Sequence, residues 1–356
     1  MTFVRHASIY VLLSVSVAAC GVAAPSKSSS SATGDLSGIK TYLSGKTSTL
    51  VAETVKLQGL SDRYFALAKA SNFDYAAMFA ANRDQSVQLV QDMRTAWRAA
   101  SPAYEQMEGI VAGTPSLEEF DVILDAGASK EEGGDGVVPF DLTLPDGKVL
   151  EKPGNLFGVT ESALWGTYEA FRAPGSFDLN GDGKVEFGEA LPDANVLKGA
   201  ADALADNAKQ LQTSAAKWEP TEKDAFNALV VMVPTMSEYF DSWKSSRFVA
   251  GDASTQRDFV AISRLADIGD ILGSLEVVRA GLSPRMAGAD AATDGQIAKN
   301  LSELKAFVAD VHSKEVAGKR FTAEEADTLG AEAQNRATAI VGQVTQVAAK
   351  LGVKTE

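Results

Sequence analysis

VQDMRTAWRAASPAYEQMEGIV, residues 90–111, is the stretch whose reading decides the fold. Val90, Met93, Trp97, Ala100, Tyr104, Met107 and Val111 recur at three- and four-residue spacing, which draws one apolar seam along a helix. A seam of this length belongs to a helix packed on other helices, as in a bundle. Pro102 lies inside it. Proline lacks an N–H and crowds the preceding turn, so a kink is expected there, freeing the carbonyl of Arg98.

Outward from this seam, the same period predicts helices over 36–70 and 74–81, the latter leading into the seam. Helical spacing resumes at Leu156 and is expected to stop before Pro174. Further helices are predicted over 194–218, 221–246, 256–281, about 294–316, and 322–351. Phe226, Leu229, Val233, Met236, Phe240 and Trp243 form a second stripe, broken at Pro234. Thr221-Glu-Lys-Asp and Thr322-Ala-Glu-Glu read as helix starts, the second a regular capping box. Residues 113–154 are loop-rich, and 138–144 and 148–150 flank Pro145-Asp146-Gly147 as a small β-hairpin. The expected fold is all-α: two helical bundles, 35–192 and 193–356, with the hairpin and a calcium loop in the first.

Residues 1–19 read as an export signal, with Arg5, an apolar run over 9–13, and Val17-Ala18-Ala19 before Cys20. This resembles a bacterial lipobox, in which Cys20 carries the lipid and becomes the first mature residue. A Ser-rich tether over 20–34 follows, and Gly21 rather than Asp stands after the cysteine. Cys20 is the only cysteine, so disulfides within the chain are excluded. The net charge of -14 argues against nucleic acid and anionic membrane surfaces as partners, and favours cations. Outside the leader no apolar run approaches the ~20 residues that span a bilayer. The expected location is the bacterial cell envelope, periplasmic or at the outer membrane or cell surface, with the membrane reached through lipid at Cys20.

Residues 178–189 have the calcium-loop pattern of an EF-hand. Asp178, Asn180 and Asp182 offer side-chain oxygens at alternate positions, and Gly183 permits the sharp turn. Lys184 offers its carbonyl, Glu186 a direct or water-mediated oxygen, and Glu189 a bidentate carboxylate. Val185 is expected to pack the loop onto its neighbours. Pro174, Gly175 and Pro192 deny the loop long flanking helices, so it reads as a structural clip rather than a sensor.

Three segments together resemble the imelysin-like family, which includes periplasmic iron-uptake lipoproteins. Residues 96–108, with Tyr104-Glu105-Gln106-Met107-Glu108, are similar to its Tyr-Glu-x-x-Glu helix. Residues 157–166, with Glu161 and Leu164-Trp165-Gly166, look like its signature, and 262–273 are similar to its Ser-Arg segment. The resemblance implies a two-bundle helical fold in the envelope, tied to iron or other metal handling. Gly158 stands where the family has a histidine, while Glu161 is kept. The one histidine beyond the leader is His312, expected on the surface. Imidazole is a favoured ligand for iron, zinc and copper, so its loss weakens both the usual transition-metal site and the peptidase label.

Phe157, Glu161, Leu164, Trp165 and Tyr168 share a helical face, placing a carboxylate in an apolar stripe. A buried carboxylate needs a partner. Arg264 is the candidate for a salt bridge to Glu161. Glu105, Glu108, Asp267 and Asp270 are candidates for an all-oxygen site with Glu161, although Glu105 and Glu108 alone read as solvated helix surface. The competing reading is that Glu161 and Arg264 only fix the packing of two helices. The function expected is a non-enzymatic protein that binds calcium and iron or another divalent cation. The alternatives are an interaction module for an envelope protein or polysaccharide and, third, a metallopeptidase, for which no His-Glu-x-x-His helix exists.

Overall fold

Asp74 and Thr322 show how locally this fold is written: each side chain caps a backbone N–H of the helix it precedes. The computed structural model describes residues 34–134 and 136–355. The expected signal, Cys20 and all of the tether but Gly34 lie outside them. The long helices are α1 (Ser37–Ala70) and α2 (Tyr75–Val111). A short α3 (Glu118–Asp121) runs into a widened helical turn at Val122–Ala126. Strands β1 (Leu142–Thr143) and β2 (Val149–Leu150) then pair antiparallel as the small hairpin. After α4 (Leu156–Trp165) and α5 (Ala194–Lys217) come α6 (Glu222–Met232), α7 (Met236–Ser245) and α8 (Arg247–Ala250). The chain ends with α9 (Arg264–Val316) and α10 (Ala323–Leu351). The fold is therefore all-α, and among the described residues no helix is long and apolar enough to cross a membrane.

α1 packs on α2 and α5; α10 packs on α7 and α9; α2 against α9 joins these groups. The seam of residues 90–111 is buried along its length, with Val90, Met93, Ala100, Tyr104, Met107 and Val111 in the core. Two glycines set how closely α2 approaches its neighbours. A Cβ on Gly109 would lie 2.9 Å from Leu275 Cγ on α9, and one on Gly113 2.5 Å from the Cα of Ala228 on α6.

Several expectations need correction. The break in α2 falls at Asn82 (φ -137°), while Pro102 sits in the helix without disturbing its helical backbone angles. α4 does stop before Pro174, but already at left-handed Gly166 (φ 67°), so Tyr168 is not on its face as expected. Residues 256–262 are irregular rather than helical, because Ser263 caps the true start of α9. α9 then continues to Val316 through a break at Asp290, so the expected 256–281 and 294–316 helices are parts of one element. The break at Pro234 is confirmed as a 3-10 turn between α6 and α7.

Candidate functional site

Arg264 is the first residue of α9, and its guanidinium is enclosed by protein: it is 5% exposed. Nη1 lies 3.3 Å from Asp267 Oδ2, 3.4 Å from Glu105 Oε1 and 3.6 Å from Asp125 Oδ2. The ring of Phe259 lies 4.3 Å and that of Tyr239 4.6 Å from the guanidinium carbon, so aromatic faces close the remaining sides. Tyr239 donates its hydroxyl to Glu108 Oε1 at 2.6 Å, and Tyr104 donates to Asp121 Oδ1 at 2.7 Å. Five buried carboxylates thus gather around one arginine: Glu105 and Glu108 from α2, Asp121 and Asp125 from the α3 segment, and Asp267 from α9.

This charge balance does not close. Burial, then Asp267, Asp125 and Glu108, pushes the Glu105 carboxyl well above its usual range, with Arg264 opposing. Burial likewise raises Asp125 strongly, Asp121 to about 8 and Asp267 to about 7. Glu105 Oε2, Glu108 Oε2 and Asp125 Oδ2 are buried and have no hydrogen-bond partner. Oxygens of these three side chains all lie within 4.8 Å of one another. A buried carboxylate oxygen without a donor is costly, and a cation or a proton is what remedies it. The donor set is all hard oxygen, which suits calcium, magnesium, manganese or ferric iron rather than soft metals.

Two expectations are overturned here. Glu105 and Glu108 are not solvated helix surface; Glu105, 1% exposed, faces Arg264 on α9 near the joint made close by Gly109, and Glu108 faces Tyr239 on α7. Glu161 does not pair with Arg264. Its Oε1 accepts N–H groups of Val260 (3.0 Å) and Ala261 (2.8 Å), and its Oε2 that of Phe259 (2.8 Å). Glu161 therefore clamps the irregular segment before α9, including left-handed Phe259 (φ 52°). Burial, then Asp258, pushes its carboxyl up to about 8 against the pull of those three donors. Asp270 lies apart, half-buried and accepting from Gln106 Nε2 at 3.3 Å. His312 is half-buried.

Sequence reading missed Asp121, Asp125, Asp258 and Tyr239, and read Tyr104 as part of the apolar seam without its bond to Asp121. Asp121 and Asp125 lie in the loop-rich stretch, where four-residue acid spacing on a helical turn was the available signal. Beside the cluster is a cavity of about 10 Å³, room for one water-sized sphere, walled by Glu105, Asp125, Asp267, Glu161, Asp258 and Gly158 among others.

The loop 178–189 is a second acidic feature. Asp178 accepts from Gly181 (2.5 Å) and Gly183 (2.9 Å), Asn180 from Asp182 (2.8 Å), and Asp182 from Lys184 (2.9 Å). Glu189 accepts from Leu179, Asn180 and Glu186. Carboxylate oxygens of Asp178, Asp182 and Glu189 come within 4.8 Å of one another, and Glu186 is an exposed residue outside that group. Val185 does not pack the loop down; it is 52% exposed, and Phe177 and Leu179 take that role. Arg83 on α2 donates to the carbonyl of Asp178 at 3.0 Å, docking the loop beside the α2 break.

No curated protein matches this chain. Residues 48–346 match the model of the Imelysin family, peptidase M75, and with most of its length so covered the chain belongs to that family.

Proposed function

We propose that this chain is a non-enzymatic cation-binding protein of the bacterial envelope, tethered by lipid at Cys20, that serves uptake of iron or another metal cation. The observation that carries this reading is the set of buried oxygens without a hydrogen-bond donor on Glu105, Glu108 and Asp125. Asp267 and Arg264 complete the enclosure. The arginine already supplies one positive charge, so a divalent ion offsets the remaining carboxylates better than a second organic cation would. Imelysin membership supports a role in iron uptake outside the cytoplasm. The peptidase part of the family name finds less support: a cavity for one water beside the cluster is far below the ~300 Å³ at which ligand pockets begin.

The test is thermal unfolding with and without manganese, a hard divalent probe, in an Asp182→Ala background that silences the exposed loop. At about 100 times its Kd, a single bound ion stabilises the fold by about 2.7 kcal/mol. Glu105→Gln combined with Asp125→Asn is expected to abolish that increment while leaving the metal-free protein folded. An unchanged increment in the double variant would refute the buried site.

In the same reading, Asp178, Asn180, Asp182, the Lys184 carbonyl, Glu186 and Glu189 hold calcium as a clip. Ala173 N–H bonds the carbonyl of Leu191 across the base of the excursion, so the loop ends are already tied and the ion closes the tip. Chelating calcium is expected to lower the melting temperature of the wild type, and Asp182→Ala to remove most of that response. A melting curve indifferent to chelator in the wild type would overturn the clip.

A further inference from the structure

Asp258 stands where two spaces meet. The inner one is the cavity of about 10 Å³ walled by Glu105, Asp125 and Asp267. The outer one, about 20 Å³, reaches Glu132 and Arg257. Asp258, Gly158 and Asn155 line both. Glu132 is exposed and Asp258 half-buried, while the acids beyond are enclosed, so burial rises stepwise along this line.

Gly158 is what leaves the line open. It lies in ordinary helical backbone in α4, so no unusual φ demands glycine there. A Cβ at this position would lie 3.0 Å from Asp258 Oδ2 and 3.0 Å from Asn155 Oδ1, in the space shared by the two cavities. Arg257 does not block the mouth electrostatically, because its guanidinium pairs with Glu131 at 2.5 Å and stacks 3.7 Å from the centre of the Tyr168 ring. At the inner end wait Glu105 Oε2 and Asp125 Oδ2, on side chains more than nine-tenths buried and without hydrogen-bond donors, Asp125 Oδ2 reached only by Arg264 Nη1 at 3.6 Å.

Resting on the cation-binding reading above, we propose that Asp258 passes a small hard cation from the surface at Glu132 to the buried Glu105–Asp125 site, through the space that Gly158 leaves empty. The inner cavity admits one water-sized sphere, so an arriving ion sheds its hydration shell while carboxylates replace it one after another. Magnesium dehydrates reluctantly, and calcium and manganese more readily, so the path favours the latter on kinetic grounds. Asp258 is thus a positioning residue for loading rather than a member of the final coordination.

Stopped-flow terbium luminescence in the full chain tests this, in the Asp182→Ala background, with Trp97 in the cavity wall as the sensitiser. Gly158→Leu is expected to slow association and release together by about tenfold or more, leaving Kd within about threefold. Asp258→Asn is expected to slow association by about tenfold as the steering charge is lost. Gly158→Ala, which adds only the crowding Cβ, should give a smaller slowing of the same kind and serves if the leucine variant does not fold. If Glu105→Gln abolishes the signal but the Gly158 and Asp258 variants load at the wild-type rate, the path is wrong and the buried site stands. If Glu105→Gln leaves the signal intact, the buried site itself is wrong.

Discussion

Replacing Arg264 with leucine is expected to cost about 3–5 kcal/mol at about pH 8 and far less at about pH 5. The guanidinium is the one positive charge among five buried carboxylates, and leucine keeps much of its apolar bulk while deleting that charge. The sign of the pH effect follows from the raised acids. A carboxyl whose folded value lies above its unfolded one contributes stability fully present below the unfolded value, near 4 for these groups. That contribution is lost as pH rises through the folded value, about 7 for Asp267 and about 8 for Asp121 and Glu161. Metal-free wild type should therefore lose stability between about pH 4 and about pH 8. The variant should lose it more steeply, since Arg264 is what holds Glu105, Asp125 and Asp267 down. Urea denaturation of both proteins at the two pH values decides the matter. An equal cost at both would mean that Arg264 acts through its packing on Tyr239 and Phe259 and not through its charge.

How far the sequence revealed this can be judged from particular residues. The α2 seam was legible because apolar residues at helical spacing can hardly be satisfied except by burial, and the same holds for the Phe226–Trp243 stripe. Thr322 and Thr221 marked helix starts because capping is a local interaction. Glu105 and Glu108 were misread for the opposite reason. Their burial depends on Arg264 of α9 lying against Glu105 and Tyr239 of α7 against Glu108, contacts between residues more than 130 positions apart that no local pattern records. The Glu161–Arg264 pairing failed in an instructive way: the burial of the carboxylate was inferred correctly, but its partners are backbone N–H groups, which every sequence supplies anonymously. Asp258 was invisible because its significance lies in the side chain missing from Gly158. The acidic loop stood out in the sequence since its spacing is itself the signal, yet its apolar anchor proved to be Phe177 and Leu179, not Val185.

The second large effect is expected from adding a single methyl group at the joint between helices. Gly113→Ala should cost about 3 kcal/mol, because its Cβ would meet backbone: the Cα of Ala228 at 2.5 Å and the carbonyl of Gly109 at 2.8 Å, neither of which can rotate away. Gly109→Ala meets Ser274 Oγ at 2.5 Å and Leu275 Cγ at 2.9 Å, so part of the overlap can be relieved by the serine rotamer, and its cost should be smaller. Its functional penalty should nevertheless be greater. Gly109 directly follows Glu108 on α2, and any widening there draws Glu105 and Glu108 away from Arg264 and Asp267 on α9. The manganese-dependent rise in melting temperature should thus be weakened more by Gly109→Ala than by Gly113→Ala, the reverse of their order in stability. Gly269→Ala is the matched control. It sits on the same α9 helix with nothing within 4 Å of its added Cβ, so it should stabilise by about 0.5–1 kcal/mol through helix propensity alone. A Gly109→Ala effect no larger than that of the Gly269→Ala control would show that α2 and α9 can slide apart freely, and a site assembled across their contact could not then hold an ion in fixed geometry.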